Sequence, residues 1–448
     1  MPNADDAARP LLDRLERDGI EHLWVSYVDY NGRSQGKSLP RARFEGTTRR
    51  GITFARANLG HDLTDHSPSD TAFGADSGDF FAVPDPESYA RYPLVEATAR
   101  AVSWMRQEGG EPWDGCPRTA LLRQETALAE RGLTAQVAFE PEGYLFAVGP
   151  DGEPTPANVQ GMFTVEALDN RAAFFHDVSD ALEAMGIEVE QIAPEWAPGQ
   201  FEVNLKHAAP IRAADQLVFA KDTARAVATR AGLLASFMPK PFEAMGGCGC
   251  HVHISLWDAE GGNAMAGDGH LSGLSATGLA FLGGVLAHAA GLVGLGAPTA
   301  NSYKRLQPGS WAPAHAAYSV GNRSSLVRIP GGARRRVEFR AGDNLANPYL
   351  FLAGLLAAGI DGLDRETDPG PPAEGDLGHM SAAELAAQGV ALLPRSAKTG
   401  LDAVEADPVL MAALGPTIGP EWLRVKRSEL ATYDTVVSPW ERAAYLRG

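Results

Sequence analysis

The sequence predicts an α+β chain in two parts: a small mixed N-terminal unit, then a larger one in which antiparallel strands form a wall surrounded by helices. Three observations carry this reading. Beyond about residue 115, strand-like runs alternate with helical ones. A stretch punctuated by Gly and Pro, Gly109-Gly110-Glu111-Pro112-Trp113-Asp114-Gly115, divides the chain. At roughly 150 residues per domain, a chain of 448 residues has room for both parts. The expected boundaries are 1–110 and 113–448.

In the first part, Pro10 to Asp18 has helical spacing. The β-rich run His22 to Tyr30 ends at Asn31-Gly32, a hairpin turn signal, and Arg33 to Leu39 follows as its partner. Asp62 to Tyr92 is dense in Asp, Ser, Gly and Pro and reads as mostly loop. In the second part, Arg118–Arg131, Arg171–Met185, Ala213–Phe237 and Tyr349–Leu363 carry helical patterns. Leu279 to Ala297, with His288 as its one polar residue, approaches membrane-spanning length. Its Gly and Ala content and the polar, Arg-rich remainder mark it instead as a helix buried in a large core. Asp364–Asp376 is a surface loop by composition, and Ser381 is the expected N-cap of a short helix to Ala387.

With 44% hydrophobic and 21% charged residues, the chain is globular in composition. Thirty-nine Lys and Arg against 56 Asp and Glu give a net charge of −17, which opposes nucleic acid and anionic lipid as partners and leaves small molecules. The acidic start lacks the basic and apolar regions of a secretory signal. Cys116, Cys248 and Cys250 form no even framework, and Cys-x-Cys has neither redox nor zinc spacing. A chain working in a reducing cytoplasm is expected, with Cys248 and Cys250 as small buried residues.

The chemistry lies on four short strands. A period of two puts Glu140 and Glu142 on one face of Val137–Phe146. The same period aligns Glu202 with Asn204, His251 with His253 and Ser255, and Arg336 with Glu338 and Arg340; Glu195 precedes a Pro-Gly turn before Glu202. Any one strand taken alone reads sooner as an ordinary half-solvated strand with its polar face to water. Together their polar residues are Glu, His and Arg almost throughout, an unusual composition for a wet face. Neighbouring carboxylates repel, a bound divalent cation removes the repulsion, and a set rich in oxygen donors suits Mg²⁺ or Mn²⁺ better than zinc. Arg305, Arg323, Arg328, Arg334, Arg335, Arg336 and Arg340 fall within 36 residues and imply an anionic substrate, most simply a nucleoside triphosphate and an acid. Walker A, Gly-x-Gly-x-x-Gly and Gly-x-Ser-x-Gly motifs are absent, so metal and arginine must hold the phosphates, as in phosphoryl transfer by positioning and charge neutralisation.

These residues resemble the glutamine synthetase family, and within it the γ-glutamyl-amine ligases. The motifs are Phe139-Glu-Pro-Glu-Gly-Tyr-Leu-Phe146, Glu195-Trp-Ala-Pro-Gly-Gln-Phe-Glu202, Gly249-Cys-His-Val-His-Ile-Ser-Leu256, Asn301-Ser-Tyr-Lys-Arg-Leu-Gln-Pro-Gly309, Asn322-Arg-Ser-Ser-Leu-Val-Arg-Ile-Pro330, Arg336-Val-Glu-Phe-Arg340 and Ala346-Asn-Pro-Tyr-Leu350, in the family's order. The resemblance implies an N-terminal β-grasp domain and a large catalytic domain. It also implies a homo-oligomer, a dodecamer of two stacked hexameric rings with active sites between subunits, using ATP and two or three Mg²⁺ (or Mn²⁺). By motif position, Glu142, Glu195 and Glu202 would bind one ion and Glu140, His251 and Glu338 another. His253, Arg328 and Arg336 would contact phosphates, and Ser255 would line the nucleotide pocket. Arg305, Arg323 and Arg340 would hold glutamate and neutralise charge in the transition state.

The departures from the family pattern concern the amine and the acid. Where the family has an Asp that binds ammonium, this chain reads Phe54-Ala55-Arg56, and where its flap carries a Glu, Pro308-Gly309-Ser310-Trp311 has Trp311. A small cation thus loses two carboxylate partners. Trp311 can pack an alkyl chain or attract an ammonium head by cation–π interaction worth about 0.5–2 kcal/mol, or serve only as a loop aromatic. Gly246, followed by Gly247, stands where the family's glutamate-contacting Asn is expected. The expectation is an ATP-dependent ligase joining glutamate to a polyamine, ethanolamine or small alkylamine. Ordinary glutamine synthesis and a catalytically silent assembly are the alternatives.

Overall fold

The computed structural model describes residues 4–159, 161–332 and 334–447. In it the His22–Val28 strand turns through Asn31-Gly32 and pairs antiparallel with Ser34–Pro40. Gly32 has φ 77°, and a Cβ there would lie 2.8 Å from the Ala346 carbonyl oxygen, so conformation and close packing both require glycine. His22–Val28 also pairs parallel with Thr98–Arg106, giving a mixed six-stranded sheet that continues through Asp79–Pro84 to Ile52–Ala55. Leu11 and Leu15 of the helix Ala4–Arg17 belong to the same buried cluster as the sheet residues Tyr27, Phe54 and Phe80, in keeping with the expected β-grasp arrangement. The helix runs upstream of Pro10, where the sequence pattern starts it.

One sequence expectation is corrected and another is refined. Asp62 to Tyr92 is mostly loop, as expected, but also contains the strands Asp79–Pro84 and Ala90–Arg91. Phe80 and Ala82 alternate into the core there, a pattern too short to stand out against the surrounding Asp, Ser and Gly. The helix read over Ala213–Phe237 is Pro210–Arg230; Gly232 at φ 70° ends it, and Leu234–Ser236 becomes a strand. The Gly- and Pro-rich stretch at 109–115 is anchored by Trp113, which is buried and stacks on Phe80 at 5.6 Å.

Among the described residues the second sheet has nine strands. Its main order is Tyr318–Val320, Val327–Ile329, Val337–Phe339, Cys250–Trp257, Thr134–Val148, Gln200–Leu205 and Val189–Pro194. Helices cover its apolar face, and one apolar cluster runs from Leu11 through Val137 and Val252 to Leu423. Leu279–Ala297 lies across two helices, Ala276–Ala287 and Ala289–Gly296, bent by 73°. A Cβ on Gly284 would lie 2.1 Å from the Ala358 carbonyl oxygen, and one on Gly362 2.2 Å from that of Ala280, so glycine here permits close contact between helix backbones. Among the described residues no single helix is long and apolar enough to cross a membrane. Cys116, Cys248 and Cys250 are free and buried, and Ser381 caps Ala382–Ala387 in a capping box with Glu384.

His288 sits at the bend, its Nδ1 2.6 Å from Asp407 and its Nε2 3.2 Å from Asp361. The Asp407 hydrogen bond raises the imidazole pKa above its ordinary value against the opposing effect of burial, and Asp361 adds to the rise. A raised folded-state pKa stabilises fully below the unfolded value of about 6.5 and loses that effect as pH rises through the folded value. The melting-temperature gap between wild type and His288→Gln is therefore expected to be wide at pH 6 and to narrow toward pH 9. A gap that widens with pH would show that neutral imidazole is the form the fold holds.

Candidate active site

Strand register builds the site. Glu142 lies directly across from Glu202, Glu140 from His251, and Glu338 from both His253 and Arg328. Five strands thus bring side chains separated by up to about two hundred positions onto one wall. Their other faces, with Phe139, Phe201, Val252 and Phe339, fill the cores. Glu142, Glu202, His251, His253 and Glu338 are all buried, so this face is not the solvated edge that alternation alone would suggest.

His251 stands at the centre, with Nδ1 3.5 Å from Glu140 and 3.8 Å from Glu338 and Nε2 3.6 Å from Glu142. Burial, reinforced by Arg340, lowers its pKa and favours the neutral imidazole that can serve as a ligand. His253 Nε2 lies 2.9 Å from Glu140, while its Nδ1 accepts from Arg336 Nε at 3.1 Å. Nε2, close as it is to Glu140, makes no hydrogen bond among the described residues. Burial pushes Glu140 upward, but His251 and His253 beside it outweigh that and hold the carboxyl below the usual range. Glu202 behaves oppositely: burial and the charges of Glu142, Glu140 and Glu195 push it up to about 9. Burial and Glu142 push Glu195, which precedes the turn into Gln200–Leu205, up to about 7. Mutual repulsion at this density is the electrostatic mark of a divalent-cation site, and donors of four to five carboxylates with two imidazoles fit hard cations. Donor atoms within 4.8 Å of one another group as Glu140–Glu202–His251 and as Glu140–His253–Glu338, with Glu140 common to both.

The arginines divide into two kinds. Arg328 and Arg340 each donate to one oxygen of the wholly buried Glu338. Burial would raise that carboxyl, but Arg340, the two histidines and Arg328 bring it down to about 2. Arg305 is buried behind the glycine loop and donates to the carbonyls of Arg340, Ala341 and Gly342. A Cβ on Gly247 would lie 2.7 Å from Arg305 Cγ, and one on Gly249 2.6 Å from its Nη2, so these glycines make room for the guanidinium. Arg323 is exposed and lines a cavity of about 380 Å³ with Gly309, Trp311, Asp376 and His379. Arg336, with Ser255, His253, Gln136 and Trp257, lines a separate cavity of about 160 Å³.

Trp311 is 67% exposed and has φ 61°, a left-handed conformation rare for an aromatic residue. Ala55 is exposed at the end of an edge strand in the other sheet, outside the lining of both cavities. Gly246 accepts a hydrogen bond from Tyr144 on its carbonyl at 2.8 Å, and a Cβ there would approach Gln200 Oε1 at 3.0 Å and the Trp196 ring at 3.3 Å. Nearby in sequence to Ala55, Asp62 turns inward to accept from Thr64 and His66, and Asp65 pairs with Arg33.

Gln200 joins the site without having stood out in the sequence, although its position on one face with Glu202 and Asn204 is a signal that could have found it. Its Nε2 donates to Glu142 at 3.3 Å and to the Gly247 carbonyl at 3.0 Å. Asn344 and Lys221, which reach the same wall from behind, carry no motif signal.

The sequence profile described as glutamine synthetase, catalytic domain, matches residues 114–445. A glutamine synthetase of Halobacterium salinarum is 34% identical over 449 residues, covering 98% of this chain and 97% of its own. The glutamate–methylamine ligase of Methyloversatilis universalis is also 34% identical, over 446 residues, covering 96% of this chain and 97% of its own. Among solved structures, GmaS in its ADP complex matches with a TM-score of 0.87 at 34% identity, over 98% of this chain and 99% of the other.

Proposed function

The chain belongs to the glutamine synthetase family, whose members are ATP-dependent C–N ligases, and from that membership we propose that it couples glutamate to a primary amine, giving a γ-glutamyl amide, ADP and phosphate. A polyamine, ethanolamine or small alkylamine is the substrate class. One observation carries the choice of amine: the wall expected to transfer phosphate is complete, while both positions expected to carry ammonium-binding carboxylates are Ala55 and Trp311.

In this reading Glu142, Glu195 and Glu202 hold one Mg²⁺ or Mn²⁺, and Glu140, His251 and Glu338 hold a second. Bound divalent ions neutralise polyphosphate charge and polarise the transferred phosphoryl group. His253, Arg328 and Arg336 bind phosphate oxygens, and Ser255 borders the nucleotide. Arg323 and Arg340 orient the glutamate carboxylates and meet the negative charge of the transferred phosphoryl group. Arg305 acts with them by bracing the strand end at Arg340, and the Gly246–Gly247 backbone offers the acid polar groups without side-chain bulk. The γ-carboxylate attacks the terminal phosphorus of ATP and ADP leaves, giving a γ-acyl phosphate. The amine, having passed its ammonium proton to water, attacks the acyl carbon, phosphate leaves, and the second amine proton also goes to solvent. Trp311 shelters that intermediate and covers the amine's carbon chain. The assembly is a cytoplasmic homo-oligomer of two stacked hexameric rings, with Ala55 of one subunit facing Trp311 of the next.

Ordinary glutamine synthesis is the second reading, favoured by the equal identity to the Halobacterium enzyme. Phosphate release from ATP with glutamate, comparing ammonium with mono-, di- and polyamines and ethanolamine, decides between them. At least one organic amine is expected to exceed ammonium in kcat/KM by about tenfold or more, the equivalent of about 1.4 kcal/mol. Ammonium as the best substrate would overturn the amine reading. Ala55→Asp with Trp311→Glu is expected to shift the ratio toward ammonium by about tenfold. An unchanged amine profile in that pair would remove both positions from the pocket.

A further inference from the structure

Lys221 lies in the helix Pro210–Arg230 and is 4% exposed, yet it carries an ammonium into the core behind the catalytic wall. An interior cation is costly unless its hydrogen bonds are made. Its Nζ donates to the backbone carbonyl of Asn344 at 2.9 Å. Asn344, 3% exposed, sends its own Nδ2 to two further carbonyls, those of Glu142 at 2.9 Å and Gly249 at 3.0 Å. Facing two acceptors fixes the amide orientation, since a flipped amide would set oxygen against oxygen. Asn344 Oδ1 has no partner among the described residues, so the contact with the two carbonyls decides the rotamer.

The position of Glu142 explains why such a grip is useful. The ladder between Thr134–Val148 and Cys250–Trp257 ends at the Pro141–Cys250 pair, and Glu142 is the next residue. Beyond that end, Glu142 N donates to the Gly249 carbonyl at 3.0 Å, and Gly249 N donates to the Glu142 carboxylate at 2.9 Å. Glu142 therefore sits where regular pairing stops, carries its charge opposite Glu202, and is held by a local knot that Asn344 closes. The segment from Arg340 to Asn344 is clamped by two buried cations, Arg305 on the carbonyls of residues 340–342 and Lys221 on that of residue 344.

We infer that Lys221 and Asn344 are positioning residues that fix Glu142 and Gly249 in the geometry the carboxylate wall needs to bind a divalent cation. The inference rests on the reading of that wall as a metal site. Outer partners of metal ligands typically change affinity by about 10–100-fold when removed. Acting through one chain of contacts, the two residues should also couple rather than add.

The test is Mn²⁺ titration by calorimetry on the full-length protein without nucleotide, at a temperature where circular dichroism shows every variant folded. Asn344→Ala and Lys221→Met are each expected to weaken Mn²⁺ binding about tenfold, with the double variant close to the weaker-binding single. Lys221→Gln, which keeps an N–H donor, is expected to recover part of the affinity and carries the test if Asn344→Ala does not fold. Folded variants binding Mn²⁺ within twofold of wild type, or losses that simply add, would overturn the positioning role. Wild type that binds no Mn²⁺ would instead overturn the metal reading of the wall itself.

Discussion

Glu202→Gln is expected to melt higher than wild type in the absence of divalent ions while losing ATP-dependent phosphate release by about a thousandfold, or ~4 kcal/mol of transition-state stabilisation. Both effects have one origin. Glu202 is buried and lies directly across from Glu142, and burial together with the charges of Glu142, Glu140 and Glu195 makes its ionised form costly. Glutamine keeps the shape while removing the charge. Relief of about 1 kcal/mol raises the melting temperature by less than the roughly 2–4 °C expected of a 150–250-residue domain, because the 113–448 part is larger. The same charge is what a divalent ion would need, so stability and activity move in opposite directions. Thermal unfolding in a chelator and phosphate release with excess Mg²⁺ measure the two arms. A lower metal-free melting temperature with phosphate release kept within tenfold would show that Glu202 holds the fold rather than an ion. Glu338 makes a poorer probe, because its removal strands the buried guanidinium of Arg340 and that of Arg328 as well as changing the site.

Arg118→Met is the second large effect, and it concerns stability. Arg118 Nη2 lies 2.8 Å from Asp85 and 2.7 Å from Asp215, and Tyr349 donates to the other Asp215 oxygen at 2.6 Å. The guanidinium also stacks 4.2 Å from the Trp104 ring centre. Asp85 follows a strand of the N-terminal sheet, whereas Asp215 and Tyr349 belong to helices behind the catalytic wall, so this cluster joins the two parts. Removing the shared cation leaves two carboxylates uncompensated in the interior, at a cost of about 3–5 kcal/mol. Arg118→Met combined with Asp85→Asn and Asp215→Asn is expected to recover most of that loss, because no buried charge is then left alone. Denaturant unfolding measures both. A loss under about 1 kcal/mol for Arg118→Met would mean that the two aspartates are stabilised by other groups.

Several features of the site are local properties of the chain and could be read from the amino acids in order. The period of two that puts Glu140 beside Glu142 and His251 beside His253 is a property of extended backbone, and it needs no partner strand. The same holds for the Asn31-Gly32 turn and the Ser381 cap, each decided within four residues. Where the local signal was weak it failed: Asp79–Pro84 was lost among turn-forming neighbours, and the end of Pro210–Arg230 depended on Gly232. Asn344 and Lys221 could not be found, because an amide in a loop and a lysine in a helix are ordinary until folding buries the amide against Glu142 and the lysine against the amide's own carbonyl.

Sequence alone determined which residue types line each strand face, the order of the motifs and, through them, the family. It did so because side-chain direction along a strand and the conformations of tight turns are set by the nearest few peptide units. Only the tertiary structure decided that Glu142 opposes Glu202 and that Glu140 serves both donor groups. It also decided that Arg328 and Arg340 share Glu338, and that Arg305 turns to backbone carbonyls. Those outcomes depend on register and burial between strands distant in sequence, where a shift of one residue would send every charged side chain to the opposite face.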